Sequence, residues 1–387
     1  MKLLSENNIE NKRVLLRCDF NVPVKDDAIL DNSKIIKSLD TIKYLLDNHN
    51  KVIIFSHFGR IKKEEDKKDN SLKIVFNELK NYIDIEFIPN PLNIKEVTNV
   101  SSSNCFLVEN TRYTDLPKKR ESDNDLELAR YWASFGDVFV LDAFASSHRA
   151  HSSTAGISKY LPTYLGFLME RELNGLDKLV NNPDRPFIAI MGGAKVDDKT
   201  KIIKGLITKC DKLIITGGIL NTFLSVAGKN VGNSLISNDE EARSSVKNIL
   251  DNYSDKLFFT DNFTVLRDNL HINTTIKDIK DNDIIYDNIP SISKIINESK
   301  TIFLNGTCGK YEEDGYEEGT VNLLKELSDS NSHVYVGGGD TISAVNKYGF
   351  SNAYKYLSSG GGATLEYVSS GKLNALEWIK ENGVDSK

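Results

Sequence analysis

Residues 191–200 combine the two residue types that most often hold phosphate groups. Gly192 and Gly193 follow the apolar run Pro186–Ile190, and Lys195 and Lys199 come shortly after them. Adjacent glycines let the backbone approach a ligand closely and present its N–H groups, while lysines supply point charges for phosphate oxygens. The segment therefore predicts a site for a nucleotide or another phosphoester.

A comparison with the P-loop motif, G-x-x-x-x-G-K-[ST], separates this segment from ordinary NTPases. Residues 193–200 fit the motif except that Asp198 stands where the second glycine belongs. A carboxylate in the cradle would repel phosphate, and a β-carbon would block the tight turn. An ordinary P-loop NTPase is therefore disfavoured. Taken alone, the segment also fits a strand–turn–helix joint that carries surface lysines.

Further glycine clusters follow apolar runs in the C-terminal half and precede helix-forming sequence. They are Gly217–Gly218 after Lys212–Ile215, Gly337–Gly339 after His333–Val336, and Gly360–Gly362 after Tyr356–Ser359. In an open, doubly wound sheet the ligand lies beyond the carboxyl ends of the strands, so such turns line one edge together. The C-terminal half is therefore predicted to be a nucleotide-binding α/β domain.

The N-terminal half carries charged and polar residues at or just after the ends of its strand candidates: Asp19, Asn21, His57, Arg60, Arg112 and Arg149. Arginines and a histidine that converge on one sheet edge would repel one another unless an anion binds there, and Arg suits bidentate binding of carboxylate and phosphate. Any single arginine could instead form a surface ion pair, and His57 alone could be a core histidine. The set favours a small dianionic or trianionic substrate.

Composition excludes several other classes of protein. The 387 residues suffice for two cores, and the net charge of −6 argues against a nucleic-acid or acidic-membrane surface. The four cysteines show no paired spacing, so neither zinc nor disulfides are indicated. His148 and His151 are weak evidence for a metal and are interpreted as structural. No apolar run has the length of a membrane span, and we expect a cytoplasmic protein.

Short apolar runs alternate with helical segments, such as Ile35–Leu46 and Leu126–Phe135, in the first part of the chain. This alternation predicts βαβ units and a parallel sheet. A second series begins at Phe187, after a helical segment that ends before Pro183. We therefore expect an N-terminal domain over 1–170, a connecting helix over 167–185 and a C-terminal domain over 186–372. The charged stretch 61–70 is predicted to be a solvated loop.

From about residue 12 to residue 372, the chain resembles phosphoglycerate kinases. The family's motifs appear in order as Arg17–Pro23, Ser56–Arg60, Glu109–Tyr113, Asp142–Phe144, Ser147–Thr154, Gly192–Lys199, Thr222–Leu224, Asn305–Gly306 and the two triple glycines. The resemblance implies α/β architecture with two doubly wound, Rossmann-like parallel-sheet domains, joined by a hinge helix. It also implies a C-terminal tail over 373–387 that packs back on the N-terminal domain.

The resemblance implies a monomeric, Mg²⁺-dependent enzyme that transfers a phosphoryl group between 1,3-bisphosphoglycerate and ADP when its domains close. The implied 3-phosphoglycerate site comprises Asp19, Phe20, Asn21, Lys34, His57, Phe58, Gly59, Arg60, Arg112 and Arg149. The implied nucleotide site comprises Gly193, Lys195, Lys199, Gly217, Gly218, Asn305, Glu312, Gly338, Gly339, Asp340 and Thr341. Catalytic roles fall to Lys34, Lys195 and Lys199, ribose binding to Glu312 and Mg²⁺ to Asp340. Without the resemblance, Asp340 is predicted to be a helix N-cap.

One departure from the family bears on the chemistry. Lys34 stands where the resemblance places the arginine that stabilises the transferring phosphoryl group, and Asp40 and Ile61 replace prolines of neighbouring motifs. Two hypotheses follow. The chain is an active kinase, or it is a paralogue that binds these ligands, has lost most turnover and serves as a regulatory or binding protein. Retention of the other site residues favours the kinase.

Overall fold

The computed structural model describes residues 1–288 and 290–386, and the chain divides into two compact units. The first unit comprises Met1–Asn174 together with Lys372–Lys387, and the second comprises Gly175–Gly371. The division falls inside one helix, Phe167–Asn181. Within the described ranges, no helix is both long enough and apolar enough to cross a membrane.

A parallel sheet forms the centre of the first unit. Its strands, with a small β3–β4 hairpin, are β1 (Lys2–Leu3), β2 (Arg13–Cys18), β3 (Val24–Lys25), β4 (Ala28–Ile29), β5 (Lys51–Phe55), β6 (Glu86–Ile88), β7 (Cys105–Val108), β8 (Val138–Asp142) and β9 (Thr163–Leu165). The order in the seven-stranded sheet is β1-β9-β8-β2-β5-β7-β6. Strand β2 lies inside this order, and its carboxyl end is therefore flanked by those of β5 and β8.

The helices that follow these strands are α1 (Ser33–Asp47), α2 (Asp66–Asp69), α3 (Lys73–Leu79), α4 (Ile94–Thr98), α5 (Leu126–Ala133) and α6 (Phe167–Asn181). Apolar residues at helical spacing, such as Ile35, Leu39 and Ile42 of α1, pack with the sheet in one core. The charged stretch 61–70 is not simply a loop as predicted. It contains α2, and Ile61 is buried.

A second parallel sheet forms the centre of the other unit, with order β12-β11-β10-β16-β17-β18. The strands of this unit are β10 (Phe187–Met191), β11 (Lys212–Ile215), β12 (Leu257–Phe258), β13 (Asn262–Arg267), β14 (Leu270–Thr275), β15 (Ile284–Asn288), β16 (Thr301–Asn305), β17 (His333–Gly337) and β18 (Tyr356–Ser358). The glycine clusters at 192–193, 217–218, 337–339 and 360–362 follow strands of this sheet, as the sequence predicts. Strands β13–β15 form a separate antiparallel sheet.

Helices alternate with the strands of this second sheet: α7 (Thr200–Lys209), α8 (Gly217–Val226), α9 (Glu240–Tyr253), α10 (Ser293–Glu298), α11 (Glu318–Asp329), α12 (Gly339–Lys347) and α13 (Gly362–Ser370). The last helix, α14 (Asn374–Asn382), belongs to the first unit. Its first turn is attached there by the Ala375 N–H, which donates to Ser147 O at 3.0 Å. Asp385 Oδ2 accepts from the Thr163 N–H at 2.9 Å. Lys387, the end of the predicted tail, lies outside the described residues.

Two parallel sheets, each with helices between its strands, confirm the predicted α/β fold class. The function of α6 as a hinge stays a prediction.

Candidate active site

Asp19 and Lys34 form an ion pair where β2 ends. Asp19 is buried immediately after this strand, and Lys34 lies in the first turn of α1. The Lys34 ammonium donates to Asp19 Oδ2 at 3.0 Å and to Asn21 O at 3.1 Å. Burial disfavours the charged form of Asp19, but the charge and hydrogen bond of the Lys34 ammonium, with the Asn21 N–H, outweigh it, so the pKa of this carboxyl is lowered. The carboxylate is therefore ionised, and Lys34 is held beside it.

The loop after β5 is tied to the loops after β2 and β7. The Gly59 N–H donates to Asn21 Oδ1 at 2.9 Å, and the Arg112 guanidinium donates to Gly59 O. Gly59 has φ of +57°, and a β-carbon there would stand 1.7 Å from Asn70 Oδ1. A side chain at this position would be strained and would have to displace that of Asn70. Three separate loops are thereby fixed against one another.

Asn110 sets the position of Arg112, and its part in the site was not predicted. Its Oδ1 accepts from the N–H groups of Phe58 at 3.1 Å and Arg112 at 3.0 Å. Its Nδ2 donates to Phe58 O at 2.6 Å and to Asn70 O at 2.8 Å. One buried amide therefore uses both its donor and acceptor atoms to join the loops after β5 and β7.

A group of cationic and imidazole side chains lies at this edge, and we refer to it as the arginine cluster: Arg17, His57, Arg112, Arg149 and His151. Arg17 is fully buried, and burial lowers the pKa of its guanidinium. Burial, followed by the charge of Arg17, also lowers the pKa of Arg112. The same causes, with Arg112 and Arg149 contributing, lower the pKa of His151 to about 3. Like charges gathered in this way favour an anionic ligand.

The other predicted substrate residues occupy different environments. Phe20 and Phe58 are buried, and the Phe20 N–H donates to Ser56 Oγ at 2.9 Å. Arg60 and Arg149 are exposed, which leaves their guanidinium groups accessible. His148 Nδ1 lies 3.0 Å from Ala145 O. Among the residues described, no three His, Cys, Asp or Glu side chains are grouped to hold a metal ion.

The second unit contains a cavity of about 920 Å³, which we call the glycine cavity. Its lining includes all the predicted nucleotide residues except one: Gly193, Lys199, Gly217, Gly218, Asn305, Glu312, Gly338, Gly339, Asp340 and Thr341. The exception, Lys195, is exposed and is not part of the lining. Leu235, Ile284 and Ile285 add an apolar wall, which periodicity did not reveal. Polar turns and an apolar wall are what a phosphate group and an aromatic base need.

Lys199 is held in the glycine cavity by two oxygen acceptors. Its ammonium donates to Gly192 O at 2.7 Å and to Asn305 Oδ1 at 3.1 Å, and Asn305 Nδ2 donates to Gly337 O at 2.7 Å. Burial lowers the pKa of Lys199, while Asp340 opposes that shift. The turn after β10 and the end of β16 thus meet at one ammonium group, and Asn305 links it to the end of β17.

Asp340 is not the helix N-cap that its local sequence predicts. The N-cap of α12 is Gly338, with φ of +101° and no side-chain capping bond, and Asp340 lies in the first turn. Thr341 Oγ1 instead accepts from the Gly306 N–H at 2.7 Å, which joins α12 to the turn after β16. The Asp340 carboxylate is therefore exposed in the cavity lining, where it can ligate a cation.

Glycine turns beside a half-buried lysine in one unit, and clustered arginines in the other, are typical of α/β enzymes that transfer phosphoryl groups from nucleotides. A family profile described as phosphoglycerate kinase matches residues 4–372. The chain belongs to the phosphoglycerate kinase family.

Individual relatives agree with this assignment. A phosphoglycerate kinase of Fusobacterium nucleatum is 39% identical over 98% of this chain and 99% of its own length. One of Macrococcus caseolyticus is 37% identical with the same coverage. The structure resembles that of phosphoglycerate kinase from Coxiella burnetii, with a TM-score of 0.83 and 32% identity over 98% of both chains. The predicted family is confirmed, and these findings favour the kinase over the binding paralogue. The family acts on small molecules and uses ATP and ADP, generally with a divalent metal.

Proposed function

We propose that this chain catalyses the reversible transfer of a phosphoryl group between 1,3-bisphosphoglycerate and ADP, giving 3-phosphoglycerate and ATP. The observation that carries the proposal is the pairing of two anion sites in one chain of this family, the arginine cluster and the glycine cavity. The first suits a small polyanion and the second suits a nucleotide. Neither site alone would distinguish a kinase from a binding protein.

The glycine cavity is proposed to hold ADP or ATP. The turns at Gly193, Gly217, Gly218, Gly338 and Gly339 let the backbone approach the nucleotide, Lys199 and Asn305 face its phosphates, and Thr341 fixes the turn beside them. Leu235 and Ile284 supply the wall for the base, and Glu312 accepts hydrogen bonds from the ribose. Lys195 is exposed at the turn after β10, and we propose that its long side chain joins the phosphates when nucleotide binds.

The edge of the first unit is proposed to hold 3-phosphoglycerate. Arg60, Arg112, Arg149 and His57 bind its carboxylate and phosphate oxygens, and Asp19 and Asn21 bind its hydroxyl and hold Lys34. Phe20, Phe58 and Gly59 shape the loops that carry these groups. Because Arg112 is fixed by Asn110 and Gly59, its planar fork is oriented before the substrate arrives, which lowers the entropy cost of binding.

In the proposed reaction, the P–O bond to the substrate carboxylate breaks and a bond forms to the terminal oxygen of the ADP β-phosphate. Catalysis is then mainly positioning and charge neutralisation, because the protein does little covalent chemistry in such transfers. Lys34, Lys195 and Lys199 neutralise the oxygens in flight. The two ligands must be brought together, and domain closure about α6 stays our prediction for how this occurs.

Mg²⁺ fits the proposed nucleotide site. This ion usually takes one or two protein carboxylates and completes its shell with water and phosphate oxygens. Asp340 supplies such a carboxylate at the start of α12, and the described residues offer no larger ligand cluster. Bound Mg²⁺ would neutralise charge on the nucleotide phosphates. A monomeric state and a cytoplasmic location complete the proposal.

A coupled assay tests the proposed function. ADP formation from ATP should depend on both 3-phosphoglycerate and Mg²⁺, with either omission abolishing turnover. Binding of both ligands by calorimetry without ADP formation would instead identify the binding paralogue.

A further inference from the structure

Arg17 is a buried cation with an unusual partner. It lies near the end of β2 with no exposed surface. Its Nε donates to Ser153 Oγ at 2.8 Å, and one terminal nitrogen donates to His57 Nδ1 at 2.9 Å. The other terminal nitrogen donates to Cys18 O, and to Phe55 O at 3.4 Å. Burying a guanidinium is costly unless its donors are satisfied, so this arrangement requires an explanation beyond packing.

The bond to His57 determines where that imidazole carries its proton. A guanidinium has only donors, so Nδ1 must accept and cannot itself bear hydrogen. A neutral ring with an unprotonated Nδ1 has its hydrogen on Nε2. His57 is half-buried, and within the described chain no hydrogen bond involves its Nε2. The ring therefore has one donor available to a ligand.

The charged form of His57 is disfavoured by most of its environment. Burial is the largest cause, and Arg17, Arg112 and His151 add to it, whereas Asp19 opposes them. The pKa of His57 is consequently well below its ordinary value. Protonation at Nδ1 would also place an N–H against the Arg17 N–H, which would break their bond.

We propose that Arg17 is a positioning residue that fixes His57 as the neutral Nε2–H tautomer, so that His57 donates one hydrogen bond to the anionic substrate and adds no charge. The arginines then supply the cationic charge, and His57 supplies a hydrogen bond of fixed direction. This inference rests on the proposed function for the identity of the ligand, but the tautomer does not depend on it.

Ser153 and Glu121 hold Arg17 in place. Ser153 Oγ accepts from Arg17 Nε and donates to Glu121 Oε1, while Glu121 Oε2 accepts from the Ser153 N–H at 3.0 Å. Glu121 is fully buried, and its charge favours the ionised guanidinium. A chain from Glu121 through Ser153 and Arg17 thus ends at the imidazole. Rotation of the guanidinium away from Nδ1 would break its bond to Ser153.

The first test uses the unmodified protein. Two-bond ¹H–¹⁵N correlation spectra should show His57, assigned by its loss in His57→Gln, with an unprotonated Nδ1 and a protonated Nε2 between about pH 5 and pH 8. A proton on Nδ1, or a doubly protonated ring in that range, overturns the proposal. This readout needs no substrate, so its failure is distinct from failure of the kinase assignment.

The second test measures coupling between the two residues. Arg17→Gln should raise the KM for 3-phosphoglycerate by roughly tenfold with a smaller change in kcat, as expected for a lost hydrogen bond in binding. The same substitution in a His57→Gln background should add little, because Arg17 acts through His57. Equal effects in both backgrounds overturn the proposal.

Two further variants test the same proposal if Arg17→Gln unfolds. Arg17→Lys retains a donor for Nδ1 and should preserve the Nε2–H tautomer. Ser153→Ala leaves Arg17 in the chain and should raise KM by a smaller factor, again only when His57 is present. Arg13→Gln is the matched control, because Arg13 begins the same strand but pairs with Asp137 at the surface. A change of tautomer or KM in Arg13→Gln would contradict the assigned path.

Discussion

The arginine cluster and the glycine cavity prepare for anions by opposite means. In the cluster, side chains are fixed by buried partners such as Asn110 and Arg17, whose contacts lie far apart in the sequence. In the cavity, backbone turns leave space, and one lysine is held by a backbone carbonyl and an amide. The first site should therefore be sensitive to loss of side-chain donors. The second should be sensitive to loss of space.

The largest expected effect is at the lysine of the glycine cavity. Lys199→Ala should lower kcat by at least ~100-fold, because removal of one preorganised transition-state contact costs ~3–4 kcal/mol. Lys201→Ala is the matched control. Lys201 lies in the first turn of α7, two residues after Lys199, but is 83% exposed and pairs with Glu366. Steady-state kinetics of both variants checks the prediction, and similar losses in the two would refute the placement of the phosphates.

Substitution of Lys34 tests the site in the first unit, where this lysine stands in place of an arginine of the family. An ammonium keeps the positive charge but lacks the planar fork that holds two oxygens. Lys34→Ala should cost more than ~2 kcal/mol, or about 30-fold, in the chemical step. Lys34→Arg should equal or raise kcat with little change in the KM for ATP. Single-turnover measurements separate this step from product release. If Lys34→Ala matches the parent and Lys37→Ala is slow, Lys37 carries the role instead.

Substitutions at two glycines distinguish a turn that must leave space for the ligand from one that must leave space for neighbouring backbone. A β-carbon on Gly339 would meet nothing within 4 Å, whereas one on Gly218 would stand 2.3 Å from Ala194 O. Gly339→Ala should keep the parent Tm but raise the KM for ATP by ~10-fold, since overpacking costs ~1–3 kcal/mol. Its KM for 3-phosphoglycerate should not change. Gly218→Ala should lower Tm without any ligand. An unchanged KM for ATP in Gly339→Ala would mean that no ligand approaches this turn.

The smallest expected effect is on stability, and it concerns one buried carboxyl group in each unit. Burial raises the pKa of Asp142 to about 6 and that of Asp287 to about 7. Because these acids hold protons more tightly when folded than when unfolded, near pKa 3.9, their contribution to stability is lost as pH rises from about 4 through the folded pKa. Between pH 4.5 and pH 8, the free energy of unfolding of Asp142→Asn and of Asp287→Asn should therefore rise by at least ~1 kcal/mol relative to that of the parent. Urea unfolding measures this, with exposed Asp251→Asn as a control that should show no such trend.

Local sequence patterns predicted four of the six strands in the second parallel sheet and the glycine turns after them, because a buried strand, a glycine turn and a helix are contiguous in the chain. The family resemblance supplied the expected nucleotide residues, and all but one of them line one cavity. Patterns did not reveal Arg17 as the partner of His57, since its contacts cross 40 and 136 positions. The predicted Asp340 cap was wrong because Gly338, two residues earlier, is the N-cap and the helix begins at Gly339. The β13–β15 sheet was missed, since no residue of its strand β14 is buried.

A rapid-quench single turnover tests the central claim most directly. With enzyme in excess over radiolabelled ATP and with saturating 3-phosphoglycerate and Mg²⁺, the γ-phosphoryl group should move to the carboxylate of 3-phosphoglycerate. Omission of 3-phosphoglycerate should leave the label on ATP. Saturating binding of both ligands with no label on 3-phosphoglycerate would contradict the account, because it would show that the two sites bind without transferring.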